Sequence, residues 1–136
     1  MSSKTYYPAQ KNPIVDAPVV TLEMADLSPL YDGHIMVVRK VKESIPEVGF
    51  INPIVVIPHE LIACKLAIYR DKSDNVRMDA PYYIYTGNNR YYAAKSLGIT
   101  KIDAVIAPSR DVLKDWEAKM HINYRFYREV ALGLPY

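Results

Sequence analysis

A glycine, two asparagines and an arginine follow one another at positions 87–90, where a predicted strand ends and a predicted helix begins. Backbone N–H groups in the first turn of a helix lack intrahelical partners, and the helix dipole makes that end positive. Gly87 allows close approach of the backbone to a ligand, and the guanidinium of Arg90 can bind two oxygens of one anion. This pattern is typical of a phosphate site, and its predicted residues are Thr86, Gly87, Asn88, Asn89 and Arg90. The alternative is a simple connecting turn with a surface arginine.

The segment 81–106 predicts the elements that must position this turn. Residues 82–85 are aromatic or β-branched and alternate between two faces, which indicates a strand. A short helix is expected over 89–97, and Gly98 is suited to the left-handed conformation that ends a helix. Alternating apolar residues over 102–106 predict a second strand.

Hydrophobic patterning locates the remaining elements. The continuous apolar run 54–57, bounded by prolines, predicts a strand that is buried on both faces. An apolar stripe that includes Trp116 predicts a long C-terminal helix over 110–131, with Ser109 as its N-cap. The other expectations are a strand over 19–22, a polar loop over 23–33, a helix over 35–45 that Pro46 ends or kinks into a final turn, a helix or irregular edge strand over 59–69, and a charged loop over 71–79.

The length of 136 residues is sufficient for one hydrophobic core. We expect a single domain over 19–136, preceded by an extended arm over 1–18 that contains three prolines. The expected fold class is α/β in the α+β arrangement. A small mixed sheet would be surrounded by helices, the longest of them at the C-terminus.

The composition excludes several classes of function. The net charge of +2 is too small for general attraction to nucleic acid, so DNA affinity would require a local basic patch. The only cysteine, Cys64, cannot form an internal disulfide, and no secretory leader is recognisable, so we expect a cytoplasmic protein. No apolar run approaches the ~20 residues that span a bilayer, and a membrane is not an expected partner. The three histidines are scattered, and no metal site is expected.

Taken in order, these segments resemble the ParB/sulfiredoxin-like superfamily, in the form of a stand-alone domain of the ParB N-terminal type. The resemblance covers roughly 19–106 and, more weakly, the last helix. The residues that carry it are Ser44-Ile45, Gly49, Asn52-Pro53, the strand 54–57, the box Gly87 to Arg90, and Ala93 and Ala94 after it. The resemblance implies a ligand with phosphate groups, either a nucleotide or a nucleic-acid backbone. It adds Asn52, Ser44 and Asn123 to the predicted binding residues.

Departures from the superfamily's motifs limit the activities that the resemblance implies. Asn88 stands where sulfiredoxins carry their catalytic cysteine, so reduction of sulfinic acids is not expected. Asn88 and Asn89 also replace the Glu and the first Arg of the ParB box. Ile122-Asn123 retains the Asn of a second ParB motif and lacks its Glu, so hydrolysis of the ParB kind would lack its acidic group. The sequence ends at Tyr136 without a helix-turn-helix domain, so partition-site recognition by that route is not expected.

Three classes of function remain open. The first is a phosphate- or nucleotide-binding accessory protein, associated with nucleic acid and acting by binding, of the stand-alone kind common in phages and mobile elements. The second is a ParB-like enzyme, either a metal-dependent nuclease or a nucleotide-dependent kinase. The third is a protein-interaction module that uses no nucleotide. The missing acidic residues favour binding, and no catalytic residue is assigned. The implied cofactor is a nucleoside triphosphate with Mg²⁺; outside that implication none is expected.

The predicted C-terminal helix carries a second candidate surface. Arg125 and Arg128 are three residues apart and share a helix face, while Tyr124 and Tyr127 lie toward the apolar stripe. A basic ridge of this kind suits a nucleic-acid backbone or an acidic protein partner. The alternative is a solvated basic face on an ordinary helix.

Overall fold

A computed structural model describes residues 5–12 and 17–116 of the protein. Its centre is a five-stranded mixed sheet, in which the strand order is β1-β5-β3-β4-β2. The strands are β1 (Val20–Glu23), β2 (Leu27–Pro29), β3 (Ile54–Pro58), β4 (Tyr82–Thr86) and β5 (Lys101–Ile106). The helices are α1 (Ile35–Val48), α2 (His59–Ile62), α3 (Leu66–Lys72) and α4 (Asn88–Ser96), with 3₁₀ turns at Met24–Asp26 and Ala63–Lys65. A further helix, called the C-terminal helix, runs from 110 to the last described residue, 116. The predicted fold class is confirmed.

The directions of the strands bring the connecting segments of interest to one edge of the sheet. The central strand β3 pairs parallel with β5 and antiparallel with β4, and β2 pairs parallel with β4. Strands β2 and β4 therefore end at the edge where β3 and β5 begin. The turn after β4, the loop after β2 and the loop before β3 consequently lie at the same edge.

The apolar run 54–57 forms the buried centre of the molecule, as the sequence predicted. Its four side chains are between 0% and 5% exposed. Ile54 and Val56 pack against α1 and α4 on one face, while Val55 and Ile57 belong to clusters on the other face. Helices on both faces explain why the strand needs no polar residues. Trp116 is buried against the same second face, in agreement with its predicted place in the core.

The prediction of a loop over 23–33 was wrong. Leu27–Pro29 forms a strand, and all three of its residues are buried. A proline is compatible with this position because β2 is the outermost strand of the sheet and pairs only with β4. Ser28 is accommodated by hydrogen bonds, since its Oγ donates to the carbonyl of Pro29 and accepts the N–H of Arg77. The segment 59–69 is helical but broken by a 3₁₀ turn, and α3 extends into the predicted loop over 71–79 as far as Lys72.

Helix α1 continues three residues past the predicted end at Ile45. Pro46 lies within the helix and is exposed, so its ring projects away from the core. The final turn closes when the N–H of Gly49 donates to the carbonyl oxygen of Ile45, 2.8 Å away. Gly49 has a φ of +69°, a conformation that favours glycine. The alternative in which Pro46 is included in a last turn is therefore the one observed.

The described part of the N-terminal segment lies along the sheet. The buried carboxylate of Asp103 on β5 accepts hydrogen bonds from the Tyr6 hydroxyl and from the Ala9 N–H, at 2.7 and 2.8 Å. The carbonyl of Thr5 accepts the N–H of Thr100 at 3.0 Å. The boundary between arm and domain stays a prediction. Within the described ranges, no helix combines the length and the apolar character needed to cross a membrane.

Candidate functional site

The turn between β4 and α4 requires glycine at position 87. Gly87 has a φ of +113°, and a Cβ atom there would lie 2.5 Å from Cγ2 of Ile54. Both the backbone conformation and the close packing on β3 therefore exclude a side chain. The first intrahelical bond of α4 runs from the Tyr91 N–H to the Gly87 carbonyl, at 2.9 Å. The N–H groups of Asn88 and Asn89 precede that bond, at the positive end of the helix dipole.

The side chains of Asn88 and Asn89 hold the loop that follows β2. Asn88 Oδ1 accepts the N–H groups of Leu30 and Tyr31, at 3.0 and 3.4 Å, and its Nδ2 donates to the carbonyl of Ile84. Asn89 Oδ1 accepts the N–H of His34 at 2.8 Å. Both amide oxygens are thus used within the protein. The groups that this turn can present to an anion are the backbone N–H groups rather than these side chains.

Arg90 joins the turn to the loop that precedes β3. The residue is only 9% exposed, and its Nη1 donates to the main-chain carbonyl oxygen of Asn52 at 2.7 Å. A hydrogen bond from a charged donor is stronger than one between neutral groups, so this contact fixes the two segments against each other. Two of the predicted motifs, far apart in sequence, are therefore adjacent in the fold.

The side chain of Asn52 presents an unusual feature next to this bond. Its Oδ1 atom is buried, and no hydrogen-bond partner for it lies among the described residues. A buried acceptor without a donor costs about 1–3 kcal/mol, so such atoms in native proteins call for an explanation. A ligand that donates a hydrogen bond to Asn52 would satisfy it.

The other predicted residues are distributed as follows. Ser44 lies on α1 and is half-buried, and its Oγ donates to the carbonyl of Val41 within the helix at 2.9 Å. Thr86 is the last residue of β4 and pairs with Val55. Asn123, Arg125 and Arg128 lie outside the described residues, as does most of the predicted helix over 110–131. Their roles stay predictions, although the Ser109 cap of that helix is observed, with Val112 N–H donating to Ser109 Oγ at 3.2 Å.

A cavity of about 530 Å³ lies between the outer side of α1 and the loop that the two asparagines hold. Its lining includes two basic side chains, Arg39 and Lys42, which are three residues apart on α1. Neither residue was identified from the sequence. Their i, i+3 spacing could have indicated a basic patch on the predicted helix, since it puts both side chains on one face. The cavity is in the size range of ligand sites.

The opposite wall of this cavity is formed by polar contacts that involve Asp32 and Tyr92. Asp32 accepts hydrogen bonds from the Ser73 hydroxyl and the Asn75 amide, and these bonds lower the pKa of its carboxyl, the Ser73 contribution being the larger. The Tyr92 hydroxyl donates to the carbonyl of Tyr31 at 3.1 Å, and burial raises the pKa of Tyr92 to about 12. The Tyr92 side chain, which lines the cavity, is therefore uncharged at physiological pH.

The described residues do not provide a metal site of their own. No group of three or more His, Cys, Asp or Glu side chains that could hold a metal ion occurs within 5–12 and 17–116. A magnesium ion is often bound through one or two carboxylates together with substrate phosphates. Among the described residues, a Mg²⁺ ion at the α4 turn would therefore have few protein ligands beside the phosphates of a bound nucleotide.

One protein family and several solved structures are similar to this chain. Residues 4–123 match the family model of the ParB N-terminal domain. A search of curated proteins found no match. Among solved structures, the chain is similar to the C-terminally truncated chromosome-partitioning protein ParB from Caulobacter crescentus complexed with CTP-gamma-S, with 18% identity and a TM-score of 0.52. That alignment covers 79% of this chain and 53% of the other.

Two further solved structures are similar to the chain. Sulfiredoxin from Arabidopsis thaliana has 21% identity and a TM-score of 0.47, over 72% of this chain and 94% of the other. A free serine kinase, solved as a point mutant in complex with AMP, has 18% identity and a TM-score of 0.48, over 77% of this chain and 35% of the other. The chain thus spans about half of the partitioning protein and about a third of the kinase. At 18% identity, the similarity to the partitioning protein shows a common fold alone.

Proposed function

The chain belongs to the family of ParB N-terminal domains, and we propose that it binds a nucleotide by its phosphate groups at the edge of the sheet where α4 begins. The partitioning protein of the same fold was solved with CTP-gamma-S, which makes a nucleoside triphosphate the ligand class to test first. The proposed phosphate-binding residues are those of the α4 turn, Thr86 to Arg90.

The observation that carries the proposal is the junction between Arg90 and Asn52. Their 2.7 Å hydrogen bond places the loop before β3 beside the first turn of α4. The same junction holds the buried Oδ1 of Asn52, for which the described residues provide no donor. The atom has almost no accessible surface, so a ribose hydroxyl or a base amino group would donate to it after the Asn52 side chain turns outward. The site would therefore bind the phosphates through one segment and the nucleoside through the other.

The backbone of the α4 turn supplies the anion-binding part of the proposed site. A phosphate at this position would accept the N–H groups of Asn88 and Asn89, in the manner common at helix N-termini. Gly87 leaves room for close approach because it carries no side chain. The buried charge of Arg90 adds positive potential beside the turn.

Calorimetric titration with CTP and with ATP, each with and without Mg²⁺, tests the proposal. We expect binding of at least one triphosphate, and we expect Asn52→Ala to weaken it about fivefold to thirtyfold, the equivalent of roughly 1–2 kcal/mol. Asn75→Ala is the matched control, because it removes an exposed amide that contacts Asp32 rather than the α4 turn. Absence of binding by the wild-type protein, or equal losses in the two variants, would contradict the proposal.

Catalysis is not part of the proposed function. The positions that resemble the two acidic motif positions of ParB hold Asn88 and Ile122 in this chain, so the acidic groups used for hydrolysis are missing there. Association with nucleic acid through Arg125 and Arg128 stays a separate prediction, to be tested by the salt dependence of DNA binding.

A further inference from the structure

A second cavity lies on the face of the sheet opposite to α1 and α4, between the α2–α3 segment and the C-terminal helix. Its volume is about 240 Å³, and we call it the cationic groove. The residues that give it its character are Lys65, Tyr69, Tyr85, Arg110 and Lys114. It shares no lining residue with the α4 turn or with the cavity beside α1.

The charged side chains that line the cationic groove are all basic. Lys65 comes from the 3₁₀ turn before α3, while Arg110 and Lys114 are four residues apart on one face of the C-terminal helix. Among the described residues that line the groove there is no carboxylate. The acidic residues of the same helix segment, Asp111 and Asp115, are exposed and do not line it. Like charges repel one another, so a concave site of this composition favours an anionic ligand.

Arg110 is held in place for such a ligand. Its Nε and Nη2 atoms donate to the carbonyl oxygen of Leu61 at 3.2 and 3.0 Å, and Nη2 also lies 3.1 Å from the Cys64 sulfur. These bonds fix the guanidinium at the groove while the residue stays exposed. Lys65 and Lys114 are exposed as well and can adjust to the spacing of charges on a ligand.

The floor of the groove is aromatic and apolar. Tyr85 is half-buried and packs against two of the core clusters, while Tyr69 is fixed by an edge-to-face contact with Tyr31 at a centroid distance of 5.6 Å. Tyrosine rings that are held rigidly beside cations match the arrangement by which proteins bind single strands without sequence preference. Bases stack on the rings, and the phosphates meet the positive groups.

We propose that the cationic groove binds single-stranded nucleic acid, with a base against Tyr85 or Tyr69 and backbone phosphates at Lys65, Arg110 and Lys114. An acidic peptide would satisfy the cations but would leave the apolar and aromatic floor without a planar partner, so the composition favours a nucleic acid. The proposal does not depend on nucleotide binding at the α4 turn, because the two sites lie on different faces and share no residue.

Fluorescence anisotropy with a labelled oligothymidylate tests the proposal on the full chain. We expect the logarithm of the affinity to fall with the logarithm of salt concentration with a slope of about −2, as for three phosphates neutralised on a single strand. The double variant Lys65→Glu with Lys114→Glu should bind at least tenfold more weakly. The matched control, Lys11→Glu with Lys72→Glu, makes the same change in net charge at exposed residues outside the groove and should retain most of the affinity.

Two substitutions of Tyr85 test the aromatic part of the proposal. Tyr85→Leu should weaken binding at least fivefold, whereas Tyr85→Phe keeps the ring and should bind like the wild type. Circular dichroism verifies that each variant is folded. If Tyr85→Leu does not fold, the variants of the exposed lysines provide the test. Three results would overturn the proposal: wild-type affinity in the groove double variant, equal losses in the control pair, or equal affinity for a polyglutamate peptide of the same charge.

Discussion

Arg90 Nη1 lies 2.7 Å from the main-chain oxygen of Asn52, and this bond joins the first turn of α4 to the start of the central strand. Arg90 as a whole residue is only 9% exposed, so it contributes to the architecture of the site as well as to its charge. An arginine that sequence analysis assigns to a ligand can therefore also be the residue that assembles the site. A substitution of Arg90 therefore changes both the stability of the site and its charge.

Arg90→Ala should lower the free energy of unfolding by about 1.5–3 kcal/mol, the usual contribution of a hydrogen bond to a charged group. Arg90→Lys should lose nearly as much, because the ammonium is a compact point charge and lacks the planar fork. Chemical denaturation measures both. Arg77→Ala is the control, since Arg77 also donates to a main-chain carbonyl, that of Ala25 at 2.8 Å, but its side chain is 44% exposed. Equal losses at the buried and the exposed arginine would contradict this account.

Two glycines with positive φ offer a direct test of how tightly the turn is packed. At Gly87 an added Cβ would lie 2.5 Å from Ile54, whereas at Gly98 it would find nothing within 4 Å. Gly98→Ala should thus cost only the left-handed conformation, about 1–2 kcal/mol. Gly87→Ala should cost at least about 1–3 kcal/mol more, because it also forces the central strand to move. Thermal unfolding of the two variants gives the comparison, and a smaller loss at Gly87 than at Gly98 would refute it.

The part of the fold that could be predicted from the sequence is the part determined by local patterns. The apolar run 54–57 has no polar face and must be covered on both sides, and Gly98 marks the end of α4 by its own conformational freedom. The strand Leu27–Pro29 could not be predicted in the same way. Its three residues show no pattern of their own, and they become a strand only through pairing with β4, more than 50 residues later.

The same distinction applies to the candidate site. The types of residue at 87–90 indicate an anion-binding turn, but their side-chain partners are distant in sequence. Asn88 binds the N–H of Leu30, 58 residues away, and Arg90 binds a carbonyl 38 residues away. Only the three-dimensional arrangement shows that these side chains are engaged within the protein. The cavity beside Arg39 and Lys42 was missed for the same reason, because its second wall comes from other segments.

The ionisation of Tyr92 predicts a loss of stability at high pH. Burial raises the pKa of Tyr92 from 10.0 to about 12, so the folded protein favours the neutral phenol more than the unfolded chain does. The resulting contribution is fully present below pH 10 and is lost as the pH rises through the folded pKa near 12. Tyr92→Phe should therefore make the free energy of unfolding fall less steeply between pH 10 and 12. Tyr6→Phe serves as a comparison. The Thr21 hydrogen bond lowers the pKa of Tyr6, but the Asp103 contacts and burial raise it by more, so that its pKa is raised, though less than that of Tyr92. Removing the Tyr6 hydroxyl should therefore flatten the same range by a smaller amount. An unchanged slope in Tyr92→Phe would show that Tyr92 does not control this transition.

The two asparagines at the start of α4 should differ in their importance for the loop after β2. Asn88 makes three hydrogen bonds, to Leu30, Tyr31 and Ile84, whereas Asn89 makes one, to His34. Asn88→Ala should therefore cost about 1–3 kcal/mol of stability, and Asn89→Ala about 0.5–1.5 kcal/mol.

Hydrogen exchange locates the effect of each asparagine variant. Asn88→Ala should speed exchange at the Leu30 and Tyr31 amides, and Asn89→Ala should speed it only at His34, since each variant removes the acceptor of those N–H groups. The Lys101 amide, which donates to the Thr5 carbonyl at 3.2 Å, is an internal reference that both variants should leave unchanged. If the loop amides keep their protection in Asn88→Ala, the loop is held by packing, and the side chain of Asn88 is then free to serve a ligand.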